Sequence, residues 1–472
     1  MTLKKTLLET EKTVKVGAPV VATQLLQMSM GFVDTIMAGN LSAKDLAAVA
    51  VGTSLYTPIL VFVIGILTAT NPIVAQLHGG REDREIGKNL WQSLWLSQFL
   101  AVPCFFLIRE MHVVMHVMNI RPEIMPITQG YLNAISWSFP ATFAYFSLRS
   151  FNEGLSVTKP SMYFASIGLV FNIIGNYALM YGHFGFPAMG AIGTGWATTL
   201  VRWIMMFGLL AFTLSHKKYE RFQIQEGRQL PCWAYIGKVL RIGVPNGISV
   251  SIEVSMFALA ALLIGSFGVD IVAAHQIAIN FAAITFMIPL GLSIATTSRV
   301  GFAAGKGSLN EARFIGYIGV ALGVAVMSVT ALIMFTVPEV IVGIYTDDAD
   351  VIRIAVRLLF FAAVFQISDG LQVSVLGALR GLKDTKIPMI FNVIAYWVIG
   401  IPIGYVLGLK LGQGAEGLWT GLIAGLTVAA ILHNLRFYYL TTRKEKKREI
   451  AESFEHASVG LEEGSPLNPL SK

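Results

Sequence analysis

Three carboxylates stand inside long apolar runs: Asp34, Glu253 and Asp369. A charge within hydrocarbon is costly and is usually kept for function. Each has polar company at helical spacing. Gln24, Gln27, Gly31 and Asp34 fall three, four and three residues apart, Asn246, Ser249 and Glu253 three and four apart, and Gln366, Asp369 and Gln372 at three-residue steps. Such spacing gathers side chains on one face of a helix. A stripe of acids and amides cannot face lipid, so each is expected to face an interior cavity. A carboxylate there can bind Na⁺ through its oxygens, carry a proton, or neutralise a cationic substrate. Where an ion and a cationic substrate compete for the same negative charge, each displaces the other, which is the physical basis of exchange. The side chains alone do not separate Na⁺ from H⁺.

Other polar residues fall in similar runs. Asn172 and Asn176 are four apart on one face, and His275 with Gln276 opens another apolar stretch. A lone membrane histidine is more often a hydrogen-bonded structural residue than a proton shuttle. Glu153 follows Arg149 by four residues, the spacing of a helical ion pair. Arg202 lies within the apolar run 196–206, where it either pairs with a buried acid or snorkels. The 18 methionines and the aromatic content suit a cavity for varied apolar cations, although most of these side chains must face lipid. There is no phosphate-binding Gly-x-x-x-x-Gly-Lys-Ser/Thr loop, no His-Glu-x-x-His motif and no nucleophile elbow. The two cysteines, Cys104 and Cys232, have no metal-ligand spacing. The chain is therefore not expected to be an enzyme or to carry a cofactor, and its energy source is expected to be an ion gradient.

The elements that position these residues follow from bulk properties. The chain has 472 residues, 54% hydrophobic and 13% charged, against about 25% charged in soluble domains. Its solvent must be a bilayer, which a helix crosses in about 20 residues. Twelve spans are expected: 14–38, 47–75, 90–109, 128–151, 161–181, 190–214, 240–265, 271–298, 312–336, 353–379, 388–409 and 415–439. The first reads as a transmembrane helix, since no small-residue cleavage pattern follows a short core. With a cytoplasmic N-terminus, six of the 35 lysines and arginines fall outside: Lys44, Arg109, Arg121, Arg353, Arg357 and Lys410. Arg202 is within a span and the remainder face inward, so both termini are expected in the cytoplasm of a multi-pass inner-membrane protein. The same scatter explains the net charge of +7 without nucleic acid. The expected organisation is a first six-helix lobe (1–214), a basic cytoplasmic linker (215–239), a second six-helix lobe (240–440) and a polar, disordered cytoplasmic tail (441–472).

The halves repeat. Val16-Gly17-Ala18-Pro19 falls on Ile242-Gly243-Val244-Pro245 at an offset of 226, as do Gly65 on Gly291, Ala69-Thr70 on Ala295-Thr296 and Gly79 on Gly305. Gly154-Leu155 and Thr158-Lys159 fall on Gly381-Leu382 and Thr385-Lys386 at 227. Two similar bundles around a central site are transporter architecture. The acids break the repeat. Glu253 maps to Gln27, Asp34 to Ala260 and Asp369 to Thr142, which suits an ion held mainly by one half.

Several segments carry a family resemblance. They are Met30-Gly31-Phe32-Val33-Asp34-Thr35-Ile36-Met37-Ala38-Gly39, Val74-Ala75-Gln76-Leu77, Asn172-Ile173-Ile174-Gly175-Asn176-Tyr177, Glu253-Val254, Ala274-His275-Gln276, Arg299-Val300-Gly301, Gln366-Ile367-Ser368-Asp369 and Leu379-Arg380-Gly381-Leu382-Lys383-Asp384-Thr385. Together, over about residues 14 to 440, the chain resembles the multidrug and toxic-compound extrusion (MATE) transporters, in their bacterial NorM-like branch. The resemblance implies an all-α membrane protein of two six-helix bundles forming a V-shaped cleft. It implies export of lipophilic cationic drugs and dyes, with a single chain forming the pathway. The coupling ion would be Na⁺, with H⁺ as the alternative. Glu253 and Asp369 would hold the cation, as Na⁺ ligands in a second-lobe site. Asp34, with Asn172 and Asn176, would bind cation or substrate, and Gln27, His275, Gln276 and Gln366 would support them. Phe365 stands where some relatives have a tyrosine, and Arg202 where they have an uncharged residue. A lipid-linked precursor flippase of related fold is the alternative, but an anionic pyrophosphate needs several cavity cations, and here the buried charges are mainly acidic.

Overall fold

A computed structural model describes residues 3–462, with side chains over residues 3–442. Eleven stretches among these residues are helices long and apolar enough to cross a bilayer. The first lobe holds α1 (Leu3–Leu41), α2 (Ala43–Leu67), α3 (Thr70–Gly79), α4 (Asp83–Arg109), α5 (His112–Val117), α6 (Met125–Ser136), α7 (Phe139–Gly154), α8 (Lys159–Leu179) and α9 (Ala191–Ser215). The second holds α10 (Trp233–Ile264), α11 (Val269–Gly305), α12 (Leu309–Thr336), α13 (Pro338–Gly343), α14 (Ala349–Gly381), α15 (Lys386–Asn392), α16 (Ile401–Tyr405) and α17 (Gly414–Glu462). In lipid every backbone N–H and C=O must be satisfied within the protein, and helices do this locally.

The fourth expected span, 128–151, is not one helix. It is α6 and α7, interrupted at Trp137 and Ser138. Pro140 lies at the start of α7; it lacks the N–H that would bond the carbonyl of Ser136, and its ring crowds that turn. Pro72 does the same between α2 and α3, at Thr68 and Ala69. In the eleventh span, π-helical turns over Val393–Gly400 and Val406–Lys410 flank Pro402. Helix α17 runs to Glu462, so the segment from Thr441 is helical where a disordered tail is expected. The last ten residues of that tail lie outside the described residues.

The linker is docked. The indoles of Trp91 and Trp95 on α4 donate to the carbonyls of Ile224 (2.7 Å) and Gln229 (3.1 Å). Gln92 donates to Leu230 O (3.0 Å) and accepts from Cys232 N (2.7 Å).

Glycines from the repeat form the seam between the lobes. Gly17 abuts Leu292, while its repeat partner Gly243 abuts Ile66, the partner of Leu292. Gly291 lies on Val21, and Gly65 on Gly247, the partner of Val21. Gly79 meets Phe302 and Gly305 meets Gln76. Each contact recurs with the lobes exchanged, so an approximate two-fold relates them. A methyl group on Gly65 would lie 2.6 Å from Gly247 Cα, closer than any real contact. Hydrogen bonds join the lobes at the same end. Gln76 donates to Gly381 O (2.8 Å), Ser298 to Asn71 Oδ1 (3.1 Å), and Asn246 to Gly65 O (2.6 Å) and Thr68 Oγ1 (3.0 Å). Arg299 donates to the Glu9 carboxylate, to Glu9 O (2.7 Å) and to the Thr13 hydroxyl. From Gly31 onward α1 becomes largely exposed. The lobes thus form a V, sealed at the end that carries the start of α1 and the linker.

Candidate ion and substrate site

Just past the seam lies a cavity of about 420 Å³ lined by both lobes. Phe146, Phe257 and Phe286 contribute apolar wall, and Gln24, Arg149, Glu153, Asn246, Glu253 and Arg380 contribute polar groups. Arg149 and Glu153 pair at 2.7 Å with side chains only 4% and 5% exposed. Gln27 belongs here: its Oε1 accepts from Arg149 Nη1 at 3.3 Å. The stripe on α1 is therefore divided, with Gln27 turned to the cavity pair and Asp34 to a separate cluster.

That cluster lies within the first lobe. Asp34 Oδ1 accepts from the amides of Asn172 (3.0 Å) and Asn176 (2.6 Å) on α8, and Oδ2 accepts from Thr198 on α9 (3.3 Å). Both asparagines are buried, and their own carbonyl oxygens have no partner. Arg202, one turn beyond Thr198, bears electrostatically on Asp34. Sequence reasoning did not pick Thr198. Its signal was the four-residue step to Arg202 on one face of α9.

In the second lobe, Glu253 on α10 faces Asp369, Gln372 and Arg380 on α14, each within electrostatic or polar reach. Asp369 and Gln372 are buried. Asp369 Oδ1, Gln366 Oε1, both polar atoms of Gln372 and the Tyr396 hydroxyl have no partner. Buried polar atoms normally find one, and the four oxygens among these are able to receive a small cation. Gln366 is fixed by its amide donating to Thr285. His275 is buried edge-on to Trp419, with Nδ1 unpartnered. Phe365 fills the space beside it, edge-on to Phe257 and Trp419. Gln276 does not support this cluster. It is exposed, because consecutive helical residues point about 100° apart and His275 takes the inward position. No group of three or more His, Cys, Asp or Glu gathers among the described residues. A cation here would be held by two acids with neutral oxygens, in the manner of a hard, oxygen-seeking ion. Sequence reasoning also passed over Arg380 as a site residue, although it lies within a quoted motif.

A family profile described as MatE matches the chain twice, at residues 19–178 and 245–406, once in each lobe. The chain belongs to the MatE family. It is 41% identical over 460 residues to the multidrug resistance protein PmpM of Pseudomonas aeruginosa, covering 96% of each chain. It is 38% identical over 436 residues to the multidrug resistance protein NorM of Aliivibrio fischeri, covering 92% of this chain and 95% of that one. A solved structure described as the outward-facing conformation of a multidrug resistance MATE family transporter superposes with a TM-score of 0.84 at 20% identity, covering 93% of this chain and 97% of that one. The shared fold is the two-bundle, twelve-helix membrane architecture, and this MatE chain is a multi-pass membrane protein.

Proposed function

We propose that this MatE protein exports lipophilic cationic drugs and dyes from the cytoplasm in exchange for Na⁺, with H⁺ as the alternative ion. The observation that carries the reading is the cavity at the seam, apolar and aromatic over most of its wall yet holding Glu253 from the second lobe. A soft cation gains from the phenylalanine faces and the carboxylate together. The names of the relatives support drugs as the cargo. Both arginines of the cavity are faced by acids, Arg149 by Glu153 and Arg380 by Glu253, so an anionic lipid pyrophosphate has no free cation to meet.

With both termini in the cytoplasm of the inner membrane, the sealed end is cytoplasmic and the V opens outward. In this state Glu253 and Asp369 take the coupling ion, and the drug leaves. The loaded protein returns to the inward state, where drug displaces the ion. Each ligand drives the cycle only through its preference for one state. One chain supplies the whole pathway and acts as a monomer.

The test is ethidium efflux from loaded cells or everted vesicles under imposed Na⁺ or pH gradients. Na⁺-driven flux at fixed pH, lost in Glu253→Gln and Asp369→Asn, is the expected result. Flux driven by pH alone assigns coupling to protons. No flux under either gradient from well-inserted protein sinks the exchange reading.

A further inference from the structure

The charged groups enclosed by the two bundles do not balance alike. In the first lobe Arg149 is paired with Glu153, and Asp34 has Arg202 within electrostatic reach. In the second lobe Arg380 bears on Glu253, and the charged group that bears on Asp369 is Glu253 itself. With its acids ionised, the first interior is neutral and the second is one positive charge short. Unbalanced charge in a low-dielectric interior is expensive, so the second lobe must draw in a cation and the first need not.

Arg202 is placed for this role. Thr198, four residues earlier on α9, donates to Asp34 Oδ2, and Arg202 lies on the same face. Among the described residues it makes no ion-pair contact. Its Nη1 is buried without a hydrogen-bond partner, so the guanidinium is held in the bundle with bonding capacity unused, within electrostatic reach of the carboxylate. The other groups around Asp34 carry no charge in their usual forms: Asn172 and Asn176 from α8, Tyr56 from α2 and Tyr131 from α6. Arg202 is thus the one cation acting on Asp34 among the groups that bear on it.

We propose that Arg202 is a tethered counter-ion that occupies the electrostatic place of a cation at Asp34, so that exchange runs on one monovalent cation held by the second lobe. The proposal rests on the exchange reading above and adds its stoichiometry and a residue that sets it.

Charge movement tests it. Ethidium carries one positive charge, so exchange for one cation is electroneutral and exchange for two is not. The full chain is reconstituted in liposomes, and ion-driven ethidium flux is measured with and without a potassium–valinomycin potential. Wild-type flux is expected to ignore the potential, and Arg202→Lys to behave likewise. Arg202→Gln leaves Asp34 open to a second ion. Its flux becomes potential-sensitive, and it balances a given ethidium gradient with the square root of the ion gradient the wild type needs. The double variant Asp34→Asn/Arg202→Gln returns to electroneutral exchange, whatever its rate. Wild-type flux that already responds to the potential, or Arg202→Gln flux that remains electroneutral, overturns the proposal and leaves exchange standing. Ion-independent flux in the wild type overturns the exchange reading itself, and the proposal with it. Should Arg202→Gln fail to fold, potential-sensitive flux in the wild type or in Arg202→Lys still overturns the proposal.

Discussion

At the scale of single residues, the chain separates fixed charges from available ones. The Arg149–Glu153 pair is fixed at 2.7 Å and nearly inaccessible. Removing one partner of such a pair strands the other and costs about 3–5 kcal/mol, whereas replacing both with apolar groups can be nearly neutral. Glu153→Gln is therefore expected to lower the unfolding temperature in detergent strongly, and Arg149→Leu/Glu153→Leu to recover most of it. Equal losses in the single and double variants would show that the pair is not the unit. Asn176 differs, since it donates at 2.6 Å to a carboxylate. Hydrogen bonds to charged groups are worth about 1.5–3 kcal/mol, so Asn176→Ala should cost stability in that range, and the loss should shrink when Asp34 is already Asn.

At the scale of elements, the bilayer made much of the fold legible. Apolar runs of spanning length and their repeat identify the segments, because backbone hydrogen bonding in lipid leaves helices as the local solution. Which prolines break a span was not legible. Pro19, Pro58, Pro103, Pro245 and Pro289 lie inside continuous helices, whereas Pro140 and Pro72 begin new ones. Packing from neighbouring helices decides between these outcomes, and it leaves no periodic trace. The linker was hidden for a related reason. Trp91, Gln92 and Trp95 read as ordinary members of α4, yet they hold backbone groups more than 130 residues away. Gln92→Ala removes two of those bonds and should speed proteolysis between residues 215 and 232 several-fold without altering helix content by circular dichroism. At the site, spacing placed Asn172 with Asn176 and Gln366 with Asp369 on common faces. That the asparagines meet Asp34 while Gln27 turns to Arg149 depends on how α1, α7 and α8 pack, which spacing does not encode. The Arg299–Glu9 contact joins residues 290 apart, and nothing local announces it.

At the scale of the whole molecule, the seam governs which end of the V is shut. At Gly65, Gly79, Gly243 and Gly305 its contacts are glycine against backbone, so a side chain there holds the lobes apart. In Gly79→Val the new Cβ would lie 2.1 Å from Phe302 O, which the sealed state cannot accommodate. Spin labels at the exposed positions Lys15 and Lys306 should report a longer, broader distance in that variant than in the wild type. Arg299→Ala, which loses only hydrogen bonds and an ion pair, should lengthen it less. An unchanged distance in Gly79→Val would mean that the seam does not gate the molecule.

The exchange symmetry of those glycine contacts reaches beyond gating. Each half presents both a patch and the surface that receives it, as the subunits of a two-fold homodimer do. Recognition between the halves is written into each of them, and the linker supplies proximity. Cut within 215–232 and made as two polypeptides, the halves should find each other in the membrane and co-purify. Two copies of one half already possess the outline of the same joint, the form in which a half-length ancestor would have paired with itself before the two copies were fused.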